Sequence, residues 1–281
     1  MKKANVIVLA GQSNAVGVGH VKYLSKHFDA QTEAALRRGY ENVKINYVSH
    51  DIASGGFVNT TVNCTERTKD TLGPELGIAK SLTQRYPGEE FFIVKCAVGG
   101  SNLHNDWRSP ASGVPYEEAR VAEPEKALES KEFRFPGWCY NALVKLLGES
   151  LGTLEKEGYS PEIIAFCWMQ GESDPDKNGA TEAYIGRYDG LLRDIRGAFP
   201  AYFEKCTYIE AGISEMWEQY QKLNAYKKAY AEEKGHIYLD TVGAGLTTRY
   251  EPEEEPDVAH YDCGSTVRLG ELFAEHICPK G

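Results

Sequence analysis

Three residues, one near the start of the chain and two near its end, have the types needed for acyl transfer: Ser13, Asp257 and His260. A serine hydroxyl is a weak nucleophile and needs an adjacent base. Asp257 and His260 stand three apart, and on a helical turn such side chains share a face. The carboxylate can then fix which ring nitrogen carries the proton, and the other nitrogen is free to take one from a serine. Each piece also has a plainer reading. Serine after a strand is a favoured helix cap, and an isolated Asp-x-x-His pair can serve as surface capping. What decides between the readings is the company these residues keep.

Ser13 follows a fully apolar run, residues 6–10, closed by Gly11. Such a run reads as a buried parallel strand, and ligands sit outside the carboxyl ends of strands in open α/β sheets. Two further apolar runs end in the same manner. Residues 91–98 lead into Gly99-Gly100-Ser101, and residues 163–169 lead into Gln170-Gly171-Glu172-Ser173-Asp174. Parallel topology would bring the three ends to one edge. There the N–H of Ser13, a glycine N–H and the Gln170 carboxamide are candidate donors for the negative oxygen of a tetrahedral intermediate. Gly99 and Gly100 both qualify; Gly100 is preferred because it lies farther past the strand. Gln12, Asn14, Gly99 and Glu172 are expected in support, with Asn14 in the turn and its network. Glu172 and Asp174 have the look of a glycosidase acid pair, but the favoured reading is that they hold the Gln170 loop. Trp107 and Arg108 suit either a sugar site or the packing of an insertion. His20 and His104 have no evident partner, and Cys263 reads as packing at a helix start.

The elements that must position these groups alternate. Strands are expected at 43–49, 207–211 and 237–239 besides the three above. Helical patterns cover 20–28, 72–86, 137–156, 181–199, 217–233 and 265–277. Strands alternating with helices imply a mainly parallel sheet covered on both faces. The expected fold is therefore a three-layer α/β/α sandwich, one domain over residues 1–281, with loop insertions near 51–70 and 102–136. An acidic loop, 251–256, precedes Asp257.

Composition narrows the function classes. The net charge is −10, and no basic stripe is present, so nucleic acid and anionic membrane surfaces are not expected partners. No run approaches the length of a membrane span. The seven scattered cysteines show no CxxC and no metal-ligand spacing. They fit a reducing compartment, hence a cytoplasmic location, or a secreted one if a leader has been removed. Residues 11–19 are Gly-rich after a strand but lack the spacing of a nucleotide-binding loop.

Four blocks carry a family resemblance: Gly11-Gln12-Ser13-Asn14, Gly99-Gly100-Ser101, Trp168-Met169-Gln170-Gly171-Glu172-Ser173-Asp174 and Asp257-Val258-Ala259-His260. In this order they resemble the SGNH hydrolase superfamily, and more narrowly its carbohydrate esterases of the sialate O-acetylesterase and acetylxylan esterase type. Many SGNH enzymes have Asn where this chain has Gln170, which points to the carbohydrate-esterase branch. The resemblance implies a flavodoxin-like sheet and ester hydrolysis through an acyl-enzyme, without metal or cofactor. It implies Ser13 as nucleophile, His260 as base, Asp257 as its orienter, and Ser13, Gly100 and Gln170 as the oxyanion hole. The expected substrate is an acetylated sugar or oligosaccharide. The alternatives are a short-chain lipase or thioesterase of the same superfamily, or a non-catalytic carbohydrate-binding protein. Nothing in the sequence specifies an oligomeric state.

Overall fold

The computed structural model describes residues 1–50, 52–62, 64, 70–113, 136–174 and 180–279. In chain order its elements are β1 (Lys2–Gly11), α1 (Ser13–Val16), β2 (Gly19–His20), α2 (Leu24–His27), α3 (Ala30–Arg38), β3 (Tyr40–Ser49), β4 (Ile52–Ala53), β5 (Val58–Thr60), β6 (Thr71–Leu72) and α4 (Pro74–Arg85). Then come β7 (Phe91–Ala97), α5 (Trp138–Lys156), β8 (Tyr159–Met169), α6 (Ala180–Ala198), β9 (Thr207–Ala211), α7 (Tyr220–Lys234), β10 (Ile237–Leu239) and α8 (Cys263–Glu275).

The main sheet runs β10-β9-β8-β1-β7-β3-β4, with β5 paired to β3. Six members, β3, β7, β1, β8, β9 and β10, are parallel, and β4 and β5 run against β3. β1 is buried from Ala4 to Gly11 and β7 along its whole length, on both faces. A strand without an exposed face must be covered from both sides, as the expected sandwich requires. Counted among the parallel strands, the order is second, third, first, fourth, fifth, sixth. It differs from the flavodoxin order in exchanging the first and third strands.

Register is what matters for function. Gly11 lies opposite Ala97 of β7 and opposite Met169 of β8. The three strand ends singled out from the sequence are therefore level, and the residues after them emerge at one edge.

Helix α4 packs along α8 by direct backbone approach. A Cβ on Gly270 would lie 1.9 Å from the Pro74 carbonyl oxygen, and one on Gly77 would lie 1.9 Å from that of Val267. Helices this close need residues without side chains at the crossing. This contact fixes α8, and with it the chain entering α8 from His260.

Two expectations change. The pattern at 20–28 is a short 3-10 turn followed by α2, and α3 was not foreseen. Helix α3 buries only Leu36 and is polar overall, so it offers few apolar residues to mark a face; its cap, Asp29 accepting from Thr32 N at 2.7 Å, is the signal that was available. The stretch 51–70 is not all loop, since β4 and β5 add to the sheet edge. Residues 51, 63, 65–69 and 114–135 of the two expected insertions lie outside the described residues.

Gly270→Ala should lower thermal stability by about 1–3 kcal/mol, the usual cost of forcing a methyl into a close-packed contact. Thermal unfolding checks this; an unchanged melting temperature would show that the helices separate at no cost.

Candidate active site

β1 leaves the sheet at Gly11 with φ of +147°, where a Cβ would lie 1.8 Å from the Met169 carbonyl oxygen. Only glycine fits there. Gln12 N donates to Met169 O at 2.9 Å, and Val98 N donates to Gly11 O at 3.1 Å. The turn carrying Ser13 is thus bonded to both neighbouring strands. Ser13 opens α1, where Ala15 N and Val16 N both donate to Gln12 O. The amides of Ser13 and Asn14 have no carbonyl partner within the turn, as at any helix start. Ser13 is 8% exposed, and its hydroxyl makes no hydrogen bond to another described residue.

The far end of α1 is held by a buried lysine. Lys95 Nζ donates to Val16 O at 2.6 Å and Cys64 O at 3.1 Å, and pairs with Glu75 Oε2 at 2.6 Å. Burial pushes the Glu75 carboxyl up, and the lysine opposes that shift. Sequence reasoning took the strand of Lys95 as apolar. The lone lysine in FFIVKCA was the signal, because a buried lysine must be paired.

The β8 end is cross-linked to the other two by side chains. Gln12 Oε1 accepts from Gln170 Nε2 at 3.1 Å, Gly171 N at 3.3 Å and Ser173 N at 3.2 Å. Gln170 Nε2 also donates to Ser101 O at 3.1 Å and Asp174 Oδ2 at 2.6 Å. Asp174 accepts from Leu103 N through both oxygens at 3.1 Å. Gln170 is fully enclosed, with more protein acceptors than its two amide hydrogens. In this arrangement it braces the edge from behind. Its backbone oxygen accepts from Lys227 Nζ at 2.8 Å and from the Tyr184 hydroxyl at 2.9 Å. Lys227 lies 3.8 Å from Glu210 in the interior. Burial lowers the lysine and pushes Glu210 up to about 7. These two residues were not found from sequence; both sit in mixed patterns that read as ordinary helix and strand faces.

Asn14 joins all of this to the C-terminal loop. Its Nδ2 donates to Glu172 Oε1 at 2.8 Å, and its Oδ1 accepts from Tyr261 N at 3.0 Å. Glu172 is fully buried, and burial raises it. Glu172 and Asp174 thus hold loops, and neither is open to solvent as a general acid would be.

In the C-terminal loop, Asp257 and His260 meet. Asp257 Oδ2 lies 2.6 Å from His260 Nδ1, while Oδ1 accepts from Ala259 N at 3.1 Å. His260 N donates to Asp257 O at 3.2 Å, which closes the expected turn. With a carboxylate at Nδ1, that nitrogen carries the hydrogen and Nε2 presents a lone pair. His260 is 27% exposed. Asn14 brings the backbone beside His260 to the backbone beside Ser13, but Ser13 Oγ and His260 Nε2 are not hydrogen-bonded to each other. Catalytic hydrogen bonds are often long in empty sites and tighten with substrate. After β7, Ser101 N donates to Val98 O at 3.3 Å, closing a turn with Gly100 exposed at φ of +68°. Gly99 is half-buried.

Trp107 and Arg108 pack the insertion. Trp107 is fully buried, donates to Ser101 Oγ at 2.8 Å and meets Trp168 edge-on at 5.0 Å. Arg108 Nε donates to His104 O at 3.1 Å. His20 lies edge-on to Tyr23, and Cys263 is buried at the start of α8. Among the described residues, no helix is long and apolar enough to cross a membrane.

The family described as "carbohydrate esterase, sialic acid-specific acetylesterase" matches residues 3–278. The chain belongs to this family and is a carboxylic ester hydrolase of the carbohydrate acetylesterase class. Solved structures share its fold. A protein from Arabidopsis thaliana is 18% identical at a TM-score of 0.62, over 98% of this chain and 97% of that one. NanS is 17% identical at 0.65, over 98% and 96%. A carbohydrate acetylesterase from Xanthomonas citri is 14% identical at 0.62, over 97% of this chain and 55% of that one. None of the curated proteins compared with the sequence matches it.

Burial pushes Asp174 up to about 6 from an ordinary 3.8. The folded state therefore keeps a proton that the unfolded chain loses. This group's contribution to stability is full below about pH 3.8 and falls as pH rises through about 6. Asp174→Asn removes that slope, so the melting temperature of the wild type should fall relative to the variant between pH 4 and about 6.5. Parallel curves would contradict the assignment.

Proposed function

We propose that this protein removes O-acetyl groups from acetylated carbohydrates through an acetyl-enzyme on Ser13. The observation that carries the reading is the Asp257–His260 hydrogen bond, on a loop whose Tyr261 N donates to Asn14, the residue beside Ser13. The family's description supplies the acetyl ester and the sugar.

His260 Nε2 takes the hydroxyl proton as Ser13 Oγ attacks the acetyl carbon. Asp257 keeps the ring in the tautomer with hydrogen on Nδ1 and stabilises the imidazolium that forms. Negative charge gathers on the former carbonyl oxygen, where the N–H groups of Ser13 and Gly100 receive it. Each such donor is typically worth about a hundred- to a thousandfold in turnover. Gln170 joins them only by exchanging one of its internal acceptors for the substrate. Collapse expels the sugar alkoxide, which takes the proton from His260. Water then attacks the acetyl-enzyme by the same route in reverse and releases acetate.

Ser13→Ala should abolish hydrolysis of p-nitrophenyl acetate and of acetylated sugars, with the melting temperature near that of the wild type. Activity in that variant would refute the mechanism. Acetate, butyrate and octanoate esters, compared with acetylated xylan and O-acetylated sialic acids, test the substrate class. Preference for the long acyl chains would favour a lipase.

A further inference from the structure

Asn14 holds the loop of Asp257 and His260 at its far end, through Tyr261 N at 3.0 Å; its near end is held otherwise. The loop is exposed from residue 253 to residue 258. It is tied outward by Glu253 N, which donates to the Tyr23 hydroxyl at 2.8 Å, and by surface pairs, Lys22 with Glu254 at 3.4 Å and Lys26 with Glu253 at 2.9 Å. Such pairs contribute little. Glu251 is different. Its side chain is 1% exposed, and it bonds at three points. Its backbone oxygen accepts from Asp257 N at 3.0 Å. Its Oε2 accepts from Cys263 N, the first residue of α8, at 2.7 Å. Its Oε1 lies 2.6 Å from His27 Nε2 on α2.

One carboxylate thus closes the loop on itself, tying its start to its end with Asp257 and His260 between. A second closure lies just outside it. Asp262 Oδ2 accepts from Thr247 Oγ1 at 2.7 Å, its Oδ1 accepts from Tyr250 N at 3.3 Å, and its N donates to Thr247 O at 2.9 Å. The Asp262 closure fixes the outer stem. Of the two residues, only Glu251 reaches Asp257, through its backbone oxygen, and the helix α2, through its carboxylate. Because α8 is pinned to α4 at Gly270, the Cys263 amide is a firm point against which Glu251 can act.

We propose that Glu251 is a positioning residue for the Asp257–His260 pair, and that His27 holds it in that role. The inference rests on the catalytic reading of that pair. Glu251 touches no reacting atom; it sets where the imidazole stands relative to Ser13. Misplacement of a catalytic group by about an ångström can cost about a hundredfold in rate without altering substrate binding.

The test is steady-state hydrolysis of p-nitrophenyl acetate by the full chain, with proton NMR of the low-field His260 Nδ1 hydrogen. Glu251→Ala should lower kcat by roughly 10- to 100-fold with KM changed less than about threefold. It should also broaden or remove the low-field signal, which a merely destabilising change in a folded protein would leave. Glu251→Gln keeps an oxygen for the Cys263 amide and should restore most of kcat. If Glu251→Ala does not fold, His27→Ala carries the test, with a severalfold lower kcat expected and an unchanged kcat overturning the proposal. Wild-type kcat and signal in folded Glu251→Ala would overturn it as well. His260→Ala, measured alongside, separates the two claims. If that variant is inactive while Glu251→Ala is fully active, this inference alone fails; if it keeps wild-type activity, the catalytic reading fails with it.

Discussion

The Asn14 carboxamide donates to Glu172 and accepts from the Tyr261 amide, and these two bonds span the ends of β1, β8 and the C-terminal loop. The geometry of a carboxamide leaves little slack: its oxygen and nitrogen lie on opposite sides of one carbon, so the partners are held at a set separation. The residue before Asn14 is Ser13, and the residue before Tyr261 is His260. Ser13 and His260, the proposed nucleophile and base, come from opposite ends of the chain and are therefore held by their neighbours. Among the described residues, neither Ser13 Oγ nor His260 Nε2 has a hydrogen-bond partner.

Around that constraint the edge is built in depth. Backbone bonds from Gly11 and Gln12 to the adjacent strands set the height of the turn. Behind it lie buried charges, Lys95 with Glu75 and Lys227 with Glu210. Buried ion pairs add little net stability, since desolvation offsets their attraction. Their use here is directional. Lys95 and Lys227 point their hydrogens at the carbonyls of Val16 and Gln170, the residues that close α1 and open the β8 loop. The site is rigid where it must place atoms. It is open to solvent at Gly100 and along residues 253–258 beside His260, the side on which the proposed reaction has its substrate enter.

Much of this was legible in the sequence because it depended on local pattern. Apolar runs ending in Gly or Gln gave β1, β7 and β8, and parallel topology then required a common edge. The Asp257–His260 turn followed from spacing alone. Glu172 and Asp174 were expected to hold the Gln170 loop, and their carboxylates accept from Asn14 Nδ2, Gln170 Nε2 and Leu103 N. What was not legible depended on pairing across the fold. Lys95 and Glu75 are twenty residues apart, and neither pattern names the other. Gln170 was expected to face the substrate, yet its two hydrogens find acceptors on Gln12, Ser101 and Asp174, three groups that only the folded edge assembles. Helix α3 escaped because it is short and polar overall, with Leu36 its one buried side chain. Trp107 fits a sugar platform by type, and only its contact with Trp168 shows it to be core.

The account stands on covalent transfer to one hydroxyl. Rapid acid quench of the protein during turnover of an acetyl ester, followed by mass spectrometry of its peptides, reads that step directly. An acetyl group on the peptide bearing Ser13, appearing before steady state and absent without substrate, is the predicted result. Turnover at full rate with no acetyl on Ser13, or with the group on another residue, would contradict it.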